Sequence, residues 1–269
     1  MIIIIAALSA ACGGFAAAHY GAGAGTGWSV FWGVLSFFVA NWAFGFSLRK
    51  RMKGEMDAIQ RILLNGQKEL QMKMQRWQIR PPGSIQAAQK EIARDTEVFV
   101  RKALERTDSL KRMKWFVLMI DRQIATTKVQ LYWMIKDFKA VDELLPKVML
   151  VDPMMYAIKI ARLYMTGGDM KEITRLYNKG VARTRYNGNV LLAAEMSWIQ
   201  MKKGDQDGAF KTLTEALKKS DNETLKRNHE LLMNNRGGHF SNSGIGDQWY
   251  SLLLEEPKTH MQRQRSFYR

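Results

Sequence analysis

The stretch MKKGDQDGAFKTLTEALKKS, residues 201–220, decides the fold. Gly204-Asp205 ends one apolar helix, because glycine enters the left-handed conformation that lets a helix stop and the chain reverse. Behind it Ala209, Phe210, Leu213, Ala216 and Leu217 recur at helical spacing and form one apolar face. Small residues on such a face belong where two helices cross closely. Ser220 and Glu223 have the spacing of a capping box for a further helix. The stretch therefore predicts two antiparallel helices joined by a tight turn.

The same pattern recurs toward the N-terminus. Gly168-Asp169 stands 36 residues before Gly204-Asp205, and Lys136-Asp137 holds the equivalent place 32 residues before that. The apolar offsets hold Ile173, Tyr177, Gly180 and Val181 in one unit, and Val141, Leu145, Val148 and Met149 in the other. Asp152-Pro153 is a helix start, with proline at the first helical position. A period in the low thirties predicts helical hairpins that stack.

Tyr132 and Tyr164 in the first helices and Pro153 between units complete a pattern that resembles the tetratricopeptide repeat family over residues 122–223. Repeats are expected at about 122–153, 154–189 and 190–223, inside an α-helical domain over 84–235; Gln200 departs from the tyrosine position. The resemblance implies a solenoid whose concave face, lined by the first helix of each hairpin, holds a peptide or partner domain. By position that face takes Gln130, Trp133 and Met134, then Ile158, Arg162 and Met165, then Ala194, Trp198, Met201 and Lys202. Trp133 and Trp198 stand either in this groove or in the core between hairpins. Aromatic, Met and basic residues together suit an acidic or mixed acidic-hydrophobic partner. The basic residues of the family's carboxylate-binding clamp are not reproduced, so a chaperone tail is not implied.

The N-terminus has a different solvent in view. Residues 1–48 contain no Asp, Glu, Lys or Arg. Ile2–Ala18 and Trp28–Leu48 are apolar runs, and at about 1.5 Å per residue the second covers the roughly 30 Å of a bilayer core. The uncharged link Gly21–Gly27 makes the two runs an antiparallel transmembrane hairpin over 1–48, with spans of about 2–18 and 28–48. Gly13 and Ala17, Gly14 and Ala18, and Ser29 and Gly33 are small pairs that let such helices approach. Arg49, Lys50, Arg51 and Lys53 follow the second run, so the positive-inside rule places the following domain in the cytoplasm, at a bacterial inner membrane. No cation precedes Ile2, unlike a secretory signal peptide. Leu8 stands one place too far from Cys12 for a lipoprotein acceptor, so Cys12 reads as a small apolar residue within the helix.

Residues 49–83 predict a basic juxtamembrane helix closed by Arg80-Pro81-Pro82-Gly83, with Met52, Met56, Ile59, Leu63, Leu70 and Met74 as its packing stripe and Ser84 capping the next helix. Trp115–Ile120 reads as a buried helix segment, too short and too soon interrupted by charge to span a membrane. Residues 236–269 predict a loop, a short capping helix over 247–254 and a basic tail from Met261.

The fold class is thus all-α: two transmembrane helices followed by a tetratricopeptide-like solenoid. The chain has 41 Lys and Arg against 25 Asp and Glu, a formal charge of +16, all of it after residue 48. Such a balance suits anionic lipid, an acidic protein or nucleic acid, but no helix-turn-helix or zinc pattern favours the last. One cysteine excludes an internal disulfide and a multi-thiolate zinc site. No phosphate loop, dinucleotide fingerprint, nucleophile elbow or zinc-protease motif occurs, so neither cofactor nor enzymatic activity is expected. The expected function is a membrane-anchored protein-interaction scaffold. The alternatives are an oligomerising organiser of a membrane complex and a basic RNA- or lipid-binding repeat protein.

Overall fold

A computed structural model describes residues 2–79, 82–116, 119–183 and 188–257. Arg80-Pro81 of the expected helix break and the basic end from Met261 lie outside the described residues. Every element among the described residues is helical, and no strand occurs. The chain divides into two compact units, residues 1–148 and 149–269, and the division falls within the expected 84–235 domain.

In the first unit, α1 (Ile2–Ala16) runs into a π-helical turn, Ala17–Gly21, and packs along α2 (Thr26–Ile79). Small residues permit the approach. Ala7 and Ser29 are fully buried, and a Cβ on Gly14 would strike Ser36. A Cβ on Gly33 would press on Phe15 and the Ala11 carbonyl. Gly13 has open space instead, so only part of the expected small-residue pattern is used.

Two boundaries differ from expectation. α1 is 15 residues long, about 22 Å, which falls short of the bilayer core, so among the described residues one helix and not two is long and apolar enough to cross a membrane. That helix is α2, and only 11% of its most apolar window is buried. There is also no joint between the expected span 28–48 and the basic helix after it: α2 is continuous for 54 residues. Nothing in Arg49–Ile79 breaks a helix, so the backbone hydrogen bonds simply propagate across the change in side-chain polarity.

The polar half of α2 packs on α3 (Ile85–Asp108), whose first turn is capped by the Ser84 hydroxyl accepting from Ala87 N–H at 3.1 Å. Ile59, Phe99, Val100, Ala103 and Leu104 form the contact, with Met52, Leu63 and Leu70 of the expected stripe around it. Met56 and Met74 are exposed. Gly66 lies under the Phe99 ring, where a Cβ would collide. Lys73 on α2 pairs with Glu91 and Asp95 on α3, and these carboxylates hold its pKa above the ordinary lysine value.

α4 (Ile120–Met134) and α5 (Phe138–Leu144) complete the unit. Within the expected buried helix at Trp115–Ile120, residues 117–118 lie outside the described residues, and of the other four only Ile120 is helical. Ser109–Met113 is a 3-10 turn, Met119 has φ 66°, and Trp115 and Phe116 are 72% and 41% exposed. Of the described residues there, only Ile120 is buried. Six apolar neighbours in sequence are a weak signal when their period is neither helical nor capped.

The second unit holds α6 (Pro153–Met165), α7 (Met170–Arg183), α8 (Gly188–Lys202), α9 (Gln206–Leu217), α10 (Glu223–Met233) and the four-residue α11 (Asp247–Tyr250). Each of α6 to α10 packs on its neighbour in sequence, and α6 also packs on α8. Residues 189–200 of α8 are buried on every side, so this helix is the centre of the unit.

One turn geometry ends four helices. Asp137 N–H donates to Tyr132 C=O at 3.0 Å, Gly168 to Leu163 at 2.8 Å, Asp205 to Gln200 at 2.9 Å and Arg236 to Leu231 at 2.7 Å. The residue before each donor has positive φ: Lys136 at 59°, Gly167 at 73°, Gly204 at 81° and Asn235 at 54°. This is the Schellman arrangement, which satisfies carbonyls that the helix end leaves open. Asp137 and Asp205 then cap α5 and α9 through Ala140 N–H and Gly208 N–H. The turn at Asn235 falls in a segment expected to be plain loop. One cap also differs: α10 is capped by Asn222 and not by Ser220. The expected 247–254 helix stops after one turn.

Candidate functional site

The site lies within the second unit, where α6 and α8 meet the C-terminal segment. Three aromatic rings form its floor. Tyr164 of α6 packs edge-on to Trp198 of α8 at 5.5 Å, and Trp198 packs edge-on to Trp249 at 5.8 Å. Trp249 and Leu252 are fully buried and join the core built on Tyr156, Ile160, Leu192 and Ile199. Glu255 closes the arrangement. Its Oε1 accepts from Trp198 Nε1–H at 2.7 Å and its Oε2 from Trp249 Nε1–H at 2.8 Å. One carboxylate thus satisfies both indole donors, and hydrogen bonds to an ionised acceptor are the stronger kind.

Two lysines rim this floor. Lys202 Nζ lies 5.1 Å from the Trp198 ring and Lys203 Nζ 5.9 Å from the Tyr164 ring. The segment itself is held in place upstream by a buried amide pair. Asn228 Nδ2 donates to Asn242 Oδ1 at 2.9 Å, and Asn242 Nδ2 donates to the Ala194 carbonyl of α8 at 2.8 Å. Both asparagines are buried, so these bonds replace water that burial removed.

The expected partner-facing residues divide in several ways. Gln130, Trp133 and Met134 lie on α4 in the first unit; the rest lie in the second. Trp133 is 3% exposed and packs edge-on to Phe138, so it is a core residue of the α4–α5 hairpin, while Gln130 is half-buried and Met134 exposed. Ile158 is buried, and Arg162 and Met165 are half-buried. Ala194 is buried in the core beneath α9 and α10, and its carbonyl accepts from Asn242. Met201 packs against the core beneath α9 and α10. Trp198 and Lys202 are the two that meet at the aromatic floor. Tyr164, Trp249 and Glu255 complete it and were missed as site residues. The signal was present in Trp249–Glu256, which is itself an acidic-hydrophobic segment of the kind the basic face was expected to hold. Arg49, Lys50, Arg51 and Lys53 are exposed on α2 in the first unit.

A further missed residue is Glu195, in the middle of α8. It is completely buried, and neither carboxylate oxygen has a hydrogen-bond partner. Burial pushes its carboxyl well above the usual carboxylate range, and the nearby Ala161 peptide offsets little of that. The Tyr156 hydroxyl of α6 is also buried without a partner. The aromatic floor thus presents π faces rimmed by two lysines, with both indole N–H groups already engaged by Glu255. Scans against protein-family models, curated proteins and solved structures find nothing that matches this chain.

Proposed function

We propose that this chain is a membrane-anchored interaction scaffold whose second unit docks an acidic-hydrophobic segment on the α6–α8 face, and that residues 247–257 occupy that face as an internal stand-in for a partner. The carrying observation is Glu255 accepting from both Trp198 and Trp249 while Trp249 is fully buried. A bulky apolar anchor flanked by a carboxylate, set beside Lys202, is the chemistry expected of the partner. Repeated Schellman turns and neighbour-to-neighbour packing support a tetratricopeptide-like stack. The α1–α2 hairpin would anchor the chain, with Arg49, Lys50, Arg51 and Lys53 keeping the helical units on the cytoplasmic side. The π-helical turn after α1 supplies further helical length for the first span.

The test uses full-length protein in detergent and a labelled peptide of residues 247–257. A Trp249→Ala/Glu255→Ala chain is expected to keep its helix content and to bind the peptide with micromolar affinity by anisotropy. The wild-type chain should bind about tenfold more weakly, since its own segment fills the face. No binding to the folded double variant would end this reading. Loss of helix in that variant would make the segment a structural cap and nothing more.

A second reading is favoured by Asn41, whose side chain is exposed on an otherwise apolar stretch of α2. In lipid, an amide there would seek a partner on another helix. An oligomerising organiser predicts a detergent-solubilised mass above the monomer that Asn41→Leu reduces. A monomeric mass for the wild type would remove it.

A further inference from the structure

We infer that the first unit carries a binding site for the headgroup of an anionic phospholipid, formed where the 109–116 turn lies against α2. A cleft of 740 Å³ opens there, lined on one side by Phe44, Ser47, Leu48 and Arg51 of α2, and on the other by Arg106, Ser109, Arg112 and Phe116. The inference rests on α2 as a membrane anchor. In that frame Leu48 is the last apolar residue and Arg49 the first cation, so the cleft straddles the boundary of the hydrocarbon. From Phe44 to Glu55 the helix rises about 16 Å, enough to reach from the upper acyl chains through the headgroup layer.

The charge of the cleft selects the sign of its occupant. Three guanidiniums, Arg51, Arg106 and Arg112, face one carboxylate, Glu55. Glu55 is already engaged: Arg106 Nε lies 2.9 Å from its Oε2, and the Ser109 hydroxyl lies 2.7 Å from the same oxygen. Arg51 and Arg112 have no acidic partner among the described residues. They are exposed, at the mouth of an apolar cleft, where a phosphodiester can take forked N–H bonds from guanidinium groups. Trp115, 72% exposed, and Phe116 stand beside Arg112, and such rings settle at headgroup depth. Lys111 and Lys114 next to them pair with Asp108 and Asp121 and add no uncompensated charge. The occupant is thus a lipid of the same bilayer, with its phosphate between Arg51 and Arg112 and its acyl chains along Phe44 and Leu48.

The test is native mass spectrometry of full-length protein released from mild detergent, with phosphatidylglycerol or phosphatidylcholine added at equal ratio. The wild type should retain one phosphatidylglycerol several-fold better than phosphatidylcholine, and free glycerol phosphate should not displace it. Arg51→Gln/Arg112→Gln should abolish that preference at unchanged helix content. Equal retention of the two lipids by the wild type overturns the proposal, and so does an unchanged preference in the folded double variant. Displacement by glycerol phosphate overturns it in favour of a soluble phosphate ligand. Extraction of the wild-type chain from membranes by alkaline carbonate is a separate outcome: it would remove the anchor on which the site rests.

Discussion

The front half of α2 and the centre of α8 are both apolar helices without a single polar face, yet their surroundings are opposite. Around α8, residues 189–200 are covered by protein on every side. Along α2, Trp28, Phe31, Trp32, Phe38, Val39 and Trp42 are exposed. A helix that is apolar all round needs a nonaqueous environment, which is a protein core in one case and, for α2, a bilayer in the reading proposed above. Glu195 apart, buried polar side chains on both helices find partners within the protein. Ser29 of α2, buried against α1, lies within reach of the carbonyls of Ala24 and Gly25 and of His19 Nδ1. On α8, Gln200 finds Thr212 of α9, and Trp198 finds Glu255, 57 residues away.

Truncation tests this contrast most strongly. Leu192→Ala on α8 should lower the stability of the second unit by about 2–5 kcal/mol, because packed neighbours leave a cavity. Val34→Ala on α2 should change the thermal midpoint in detergent very little, since Val34 is half exposed. The same residue changed to Arg should reduce membrane retention, at a cost of about 3 kcal/mol at mid-span. Equal sensitivity of the two helices to truncation would break the comparison.

A smaller effect probes where α2 changes partner. Beyond Leu48 the same helix turns to protein, and Gly66 meets Phe99 of α3. Gly66→Val should destabilise the first unit by about 1–3 kcal/mol through overpacking. Gly45→Val, with open space around it, should not, as denaturant melts of the two variants would show.

Titration separates the two units. Glu195 in α8 has its pKa raised by burial. Below the ordinary carboxylate range it is protonated whether folded or not. As pH rises above that range the unfolded chain releases the proton while the folded chain keeps it, so the second unit loses stability toward high pH. The slope is at most about 1.4 kcal/mol per pH unit. Glu195→Gln should flatten it, read as thermal midpoints between pH 5 and 9. In the first unit, Asp108 is shifted down by its bonds to Lys128 and Lys111, so that contribution is lost as pH falls. The smallest effect is at the site rim. Lys202→Glu should loosen the 247–257 segment by about 0.5–1 kcal/mol, seen as faster proteolysis after Leu254.

Sequence alone determined that this chain is all-helical, that its uncharged front is set apart from its charged remainder, and that turns recur at Lys136, Gly168 and Gly204. These depend on local periodicity, charge and backbone propensity, which act within a few residues. Ser84 as a cap and the Ile59 stripe were legible for the same reason. Tertiary structure alone decided that Trp133 is core, that Trp115 and Phe116 lie exposed beside α2, and that Trp249 and Glu255 close over Trp198. Those outcomes depend on which distant residues fill the space beside a side chain, and no spacing rule within one helix carries that information.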